Sequence, residues 1–244
     1  MAGPAGATRI TAWLRLTPTQ ADTVPLSHFE TVLLDVDGTL LDSNAAHADA
    51  WAHGFQSHGL TVNPRALRRS IGMSDDKLLR AVAQVGESSA LGRGVVARKR
   101  RVFAMLLPGL SPTRGARALL EHLGRRGLGL AVATAAPDHE ARAALQRAGV
   151  ADLLRASVPA ADDMEAATDR RDVIAAALER CGARPDTTVM VTDTPHDIEA
   201  AARAGVRAVA LRCGGFWKDS DLRHAIAIYD HPGALLEQWR GEQT

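Results

Sequence analysis

Residues 31–43 read TVLLDVDGTLLDS. An apolar stretch runs into Asp35, a second aspartate follows at 37, and Gly38 breaks the run. Asp-Gly between apolar segments is the strongest short-range signal for a hairpin turn, so the segment that follows decides the fold. In residues 44–58 (NAAHADAWAHGFQSH) the larger apolar side chains, Trp51 and Phe55, stand four apart with alanines between them. That is helical spacing, not a returning strand. The chain therefore reads strand, acidic turn, helix, and the two carboxylates need a purpose beyond turning the chain.

The same alternation resumes after Pro112. Residues 113–126 read as helix and 128–134 (LGLAVAT) as strand. A helix over 138–148 closes at Gly149, and 153–158 (LLRASV) reads as a short strand. Helix 170–181 closes at Gly182, strand 187–193 (TTVMVTD) follows, helix 195–204 closes at Gly205, and 206–212 (VRAVALR) is a further strand. Glycine just past a helix is a stop signal, because it accepts the left-handed conformation there. Strands alternating with helices imply an α/β fold: a Rossmann-like parallel sheet of about five strands, covered by helices on both faces. Residues 44–107 break the rhythm, with helical patches at 44–58, 64–69, 75–84 and 93–106 and no strand. The expected organisation is a loosely ordered extension over 1–28, an α/β core built from 29–43 and 108–244, and a small α-helical cap inserted over 44–107.

Composition excludes several classes. The net charge of the 244 residues is +1, which leaves no electrostatic footprint for nucleic acid. The basic run Arg98-Lys99-Arg100-Arg101 reads as a solvated helix face ahead of the alternative, a phosphate-binding patch. Cys181 and Cys213 have no metal-ligand spacing, which suits a reduced intracellular setting without structural zinc. No apolar stretch approaches the roughly 18 residues of a membrane span. Arg9 and Arg15 precede any acidic residue, as in a transit peptide, but Pro4, Pro18 and Pro25 interrupt the amphipathic run such a peptide needs. A soluble cytoplasmic protein without a membrane partner is expected, its oligomeric state left open.

In an open parallel sheet, ligands bind outside the carboxyl ends of the strands. Three strands here end in polar residues. The first ends at Asp35 and Asp37, the second at Thr134, and the third at Asp193, followed by Thr194-Pro195-His196-Asp197. Pro195 suits a first helical position, which puts Asp197 in the first turn, where a carboxylate also serves as an ordinary cap. Four carboxylates converging at one sheet edge repel one another unless a cation sits between them. An oxygen-only ligand set points to a hard ion, magnesium first.

DVDGT, a strand ending in threonine and a TDTPHD box together resemble the haloacid dehalogenase superfamily of phosphohydrolases, over roughly residues 30–236. The insertion is similar to the helical cap of the phosphoglycolate phosphatase and β-phosphoglucomutase branch. The resemblance implies that Asp35 is a nucleophile forming an aspartyl-phosphate, and that Asp37 protonates the leaving oxygen and later activates water. It implies that Gly38 lets the backbone approach the phosphate, which Thr134 and the adjoining Ala135 bind. Magnesium falls to Asp35, the backbone carbonyl of Asp37 and Asp193, with Asp197 in or just outside the shell. An acid at position 37 argues against a carbon–halogen hydrolase.

Two features depart from the family pattern. Ala135-Ala136 follow Thr134, where many relatives carry asparagine. The family's Lys-Pro ahead of the helix at 170–181 is replaced by Thr168-Asp169, and no lysine lies between Lys99 and Lys218. Arg170 or Arg171 is the candidate replacement cation; solvated surface residues are the equal alternative. Asn44, His47 and Lys77 are candidate substrate contacts near a loop at Gly72-Met73-Ser74, although Asn44 also suits a helix cap and His47 a helix surface. The RCGG turn at 212–215 receives no chemistry. The expected activity is a magnesium-dependent phosphatase of a small phosphorylated metabolite. The alternatives are a phosphomutase, or a degenerate member that binds a phosphorylated ligand or a protein without turnover.

Overall fold

A computed structural model describes residues 25–154 and 170–241. Its five strands are β1 (Thr31–Leu34), β2 (Gly129–Val132), β3 (Thr188–Thr192), β4 (Arg207–Leu211) and β5 (Ala227–Tyr229). All pair in parallel, in the order β2-β1-β3-β4-β5. Helices α1 (Asn44–Gln56), α2 (Pro64–Ser70), α3 (Asp75–Ala83) and α4 (Ala90–Leu106) lie between β1 and β2. Helices α5 (Ala116–Arg125), α6 (Asp138–Arg147), α7 (Arg170–Cys181), α8 (Pro195–Arg203) and α9 (Pro232–Gly241) accompany the later strands.

The strands read as unbroken apolar runs because both faces of the sheet are covered. Successive side chains point to opposite faces, so each strand divides its residues between two cores. Val32, Leu34, Val189, Val191 and Val209 meet Leu119, Leu120 and Leu123 of α5, Leu145 of α6 and Trp239 of α9. Leu33, Met190, Ala208 and Ala210 meet Val173, Ile174 and Ala177 of α7 and Ile198 and Ala201 of α8. Each fully buried Leu or Met contributes about 1.5–3 kcal/mol. Helices α1 to α4 bury their own apolar clusters, Trp51, Phe55, Leu67, Leu79 and Val95 in one and Ala50, Val102 and Phe103 in another.

The cap is also fastened to the sheet domain. Arg69 of α2 grips Asp221 through Nη1 and Nη2 at 2.8 and 3.1 Å. Its guanidinium lies 4.8 Å from the Trp217 ring centroid. Phe216, next in the same loop, packs against the Trp51–Phe55 cluster of the cap.

Two expectations change here. Leu153 and Leu154, expected to open a strand, lie in a turn; residues 155–158 fall outside the described residues. The fifth strand is instead Ala227–Tyr229, too short for a two-residue period to register in sequence. The core also starts ahead of residue 29, within the segment expected to be loose: Leu26 is 1% exposed and packs with Phe29 among the sheet residues. Among the described residues, no helix is long and apolar enough to cross a membrane.

Candidate active site

Strand β1 has β2 on one side and β3 on the other, so the chain reverses direction across the sheet at its carboxyl end. Such a switch point opens a crevice. Here it is a cleft of about 730 Å³, walled by Asp35, Asp37, Asn44, His47, Thr134 and Thr194 and roofed by Trp51, Ser74, Asp75, Lys99, Arg100 and Phe103.

Asp35 extends the sheet ladder one residue past β1, its backbone N–H donating to the Val191 carbonyl at 3.0 Å. Its side chain is 2% exposed. Beyond it the Val36 carbonyl accepts N–H groups from Thr39, Leu40 and Leu41 at 3.3, 2.9 and 3.0 Å, which curls residues 36–41 tightly. Gly38 sits in that curl at φ +77°, and a Cβ there would collide with Asn44 Nδ2 and Asp193 Oδ2. The Asp-Gly pair thus serves close approach as well as turning.

Asp193 follows β3 directly and is 1% exposed. Asn44 Nδ2 donates to its Oδ2 at 2.7 Å, and Thr39 Oγ1 to its Oδ1 at 3.3 Å. Burial pushes the carboxyl up to about 7; the Asn44 hydrogen bond opposes the rise and the charge of Asp197 adds to it. Asn44 also donates to the Gly214 carbonyl at 3.0 Å, and a Cβ on Gly214 would strike Asp193. The 212–215 turn, unassigned from sequence, therefore packs directly behind Asp193 and Asn44. Its Cys213 thiol donates to the Gly38 carbonyl at 3.2 Å, and burial pushes that thiol up to about 12, so it is no nucleophile. Cys213 and Cys181 are both unpaired.

Asp197 is fully buried but turned toward threonines, its Oδ2 accepting from Thr192 Oγ1 at 2.8 Å and Thr194 Oγ1 at 3.1 Å. Among the described residues, no group of three or more carboxylate, imidazole or thiol side chains stands close enough to hold a metal. Magnesium does not require one, since it keeps several waters and takes one or two carboxylates. Asp35 and Asp193, ending neighbouring strands, suit that demand. Asp193 has neutral donors alone among the described residues, and a divalent cation would relieve its buried charge.

Asp37 accepts from Ser43 Oγ at 2.6 Å. His47 Nε2 stands 2.9 Å from the same oxygen, though out of line for a well-directed hydrogen bond. The imidazole is held flat against the Phe103 ring, centroids 3.9 Å apart. Burial would raise the Asp37 carboxyl, but His47, Ser43 and the charge of Lys99 outweigh it and hold it well below the usual carboxylate range. With 28% of its side chain exposed, Asp37 faces the cleft and is not sealed from it. Thr134, two residues past β2, accepts the Ala136 N–H at 3.1 Å, which leaves its hydroxyl proton free to donate; Ala135 lines the cleft beside it.

Two cations stand elsewhere than their sequence positions suggest. Lys77 is exposed on α3 and is not part of the cleft wall. Thr168 and the side chains of Arg170 and Arg171 lie outside the described residues. Lys99, assigned to a solvated face, is buried at 6% exposure in the cleft wall. Its neighbour Arg100 joins Asp75 at 3.3 Å and, across to α6, Glu140 at 3.4 Å. Only Arg98 and Arg101 of that run are exposed. The missed signal is positional: Val95, Lys99 and Val102 share the buried stripe of α4.

A family model described as haloacid dehalogenase-like hydrolase matches residues 29–205. The phosphoglycolate phosphatase of Rhodospirillum rubrum is 31% identical over 219 residues, covering 86% of this chain and 90% of the relative. The tyrosine-protein kinase PtkA of Mycobacterium tuberculosis is 31% identical over 218 residues, covering 84% of this chain and 70% of the relative. A crystal structure of a hydrolase from Pseudomonas syringae superposes with a TM-score of 0.77 at 22% identity, over 88% of this chain and 99% of that one. At that identity the likeness speaks for the fold.

Proposed function

The chain belongs to the haloacid dehalogenase-like hydrolases, and from that premise we propose that it is a magnesium-dependent phosphatase of small phosphorylated metabolites, acting through an aspartyl-phosphate on Asp35. The observation that carries this reading is Asp193: a buried carboxylate with neutral donors, pushed up to about 7, ending the strand next to the one that ends in Asp35. Phosphatases named for small phosphorylated compounds stand among the relatives. Magnesium held by Asp35, Asp193 and the Asp37 backbone carbonyl, with Asp197 behind them, would supply neutralisation of the phosphoryl charge.

In the first half-reaction an Asp35 oxygen attacks phosphorus, and the bond to the leaving oxygen breaks as that oxygen takes a proton from Asp37. Asp37 rests as an anion, so it must first be loaded. That proton comes from solvent, to which 28% of the Asp37 side chain is open. In the second half the ionised Asp37 takes a proton from water as the water attacks phosphorus, and the Asp35 carboxylate leaves. The Thr134 hydroxyl and the backbone around Gly38 hold phosphoryl oxygens.

Phosphate release from p-nitrophenyl phosphate should vanish with EDTA and return with magnesium, and Asp35→Asn should lower it by about 10³-fold or more while the fold persists. Near wild-type turnover in Asp35→Asn would remove Asp35 from its role. A second reading, binding of a phosphorylated ligand without turnover, is favoured by Thr168 standing at the family's lysine position. Ligand binding by wild type with no phosphate release would select it.

A further inference from the structure

We propose that Lys99 recognises an anionic group on the leaving-group side of the cleft, so that the site selects phosphomonoesters whose leaving group carries a carboxylate or second phosphate over those with a neutral one. This substrate class rests on the phosphatase reading above. The Lys99 side chain is 8% exposed, and its nearest carboxylate oxygen, Asp75 Oδ1, is 3.9 Å away, beyond hydrogen-bonding distance. The charges of Asp37 and Glu87 act on it through the cleft, and other nearby acids are engaged by arginines. Arg100 takes Asp75 Oδ2 at 3.3 Å and Glu140 at 3.4 Å, Arg80 takes Asp76 at 2.7 Å, and Arg142 takes Asp138 at 2.8 Å. Among the described residues Lys99 Nζ is left with two ring faces, Trp51 at 5.5 Å and Phe103 at 5.9 Å from their centroids. Rings attract a cation and fix its stem, but they do not replace the acceptors that a buried ammonium loses.

Further acceptors for the ammonium are offered by whatever fills the cleft, whose wall Lys99 forms. Its location says which part of a substrate would bring them. Phe103 lies beneath Lys99 and also carries the His47 ring, which in turn touches Asp37, the residue assigned to the leaving oxygen. The body of a leaving group bound to Asp37 would extend along that wall toward Lys99. An ionised group there adds charge–charge attraction, strengthened by partial burial, to the hydrogen bond that a hydroxyl would also accept. A site holding a buried charge also rejects analogues that leave it unpaired, with discrimination on the order of 10²-fold or more.

The test compares kcat/KM for phosphoglycolate, fructose 1,6-bisphosphate and glycerol 1-phosphate with the full-length, magnesium-loaded protein. Wild type should favour phosphoglycolate or the bisphosphate over glycerol 1-phosphate, and whichever is favoured identifies the anion. Lys99→Met should shrink that preference about tenfold or more, and Lys99→Arg should retain most of it. Lys99→Gln, run in parallel with melting curves, keeps the test open if the methionine variant does not fold. No preference in wild type, or an equal loss on all three esters in the variants, overturns the proposal. Calorimetric binding of the same esters separates the two readings. If wild type releases no phosphate at all, the phosphatase reading fails. Discrimination in Kd that disappears in Lys99→Met then supports the subsite, and its absence from wild type rejects it.

Discussion

His47 reaches Asp37 because Phe103, from another helix, gives its ring a flat surface 3.9 Å away. That contact sets the protonation state of the carboxyl that handles protons, and its removal has a definite sign. His47 and Ser43 together hold Asp37 well below the ordinary carboxylate range against the effect of burial. Replacing the ring with a neutral group lets the carboxyl rise. In His47→Gln more of Asp37 carries the proton that the first half-reaction needs, so the basic limb of the kcat/KM profile should move to higher pH. An unmoved limb would leave His47 without influence on Asp37. At this scale the sequence is uneven. Asp35, Asp37 and Asp193 were legible because strands ending in carboxylates have no structural need of them. Asn44 was not: a helix-opening asparagine suggests a cap, whereas here its amide joins Asp193 to Gly214 across the site. Lys99 was masked by the arginines around it, since a charge run says nothing about which member faces inward.

The element that ties site to cap is the loop leaving β4. Within it Cys213 and Gly214 border Gly38, Asn44 and Asp193, and Phe216 and Trp217 pack against the cap cluster and Arg69 of α2. His196, at the start of α8, adds a contact from Nε2 to the Arg69 carbonyl at 3.1 Å. These contacts form one continuous path from α2 to the turn beside Asp193. Arg69→Ala removes the bidentate grip on Asp221, an exposed pair whose loss should change global stability little. Hydrogen exchange should nevertheless quicken over residues 64–70 and 214–222 together, while α5 and α9 keep their protection. Quickening at α2 alone would mean that the loop is held by its own packing. Element types were readable where the apolar period ran for several residues. The three-residue β5 escaped because its place depends on hydrogen bonds from β4, which no local pattern encodes.

For the whole molecule, the buried Asp193 ties folding to pH. Its carboxyl stands at about 7 in the fold against an ordinary 3.8, so between those values the native state holds a proton that the unfolded chain has released. Stability of the metal-free protein must then fall as pH rises through that window and level off above it. Denaturant melts in EDTA should show this loss between pH 4 and 7, magnesium should recover it at pH 8, and Asp193→Asn should flatten the profile. A metal-free stability that climbed through the window would contradict the placement of Asp193. The sequence by itself determined the alternation of strands and helices, the helical insertion and the carboxylates at the strand ends, because periodicity and stop signals are local and each strand buries both faces. Only the tertiary structure decided that Asn44 and Gly214 close around Asp193, that Asp197 turns to its threonines, and that Lys99 enters the cleft in place of Lys77. Those outcomes depend on which helix faces which, and that is settled by packing between segments far apart in the chain.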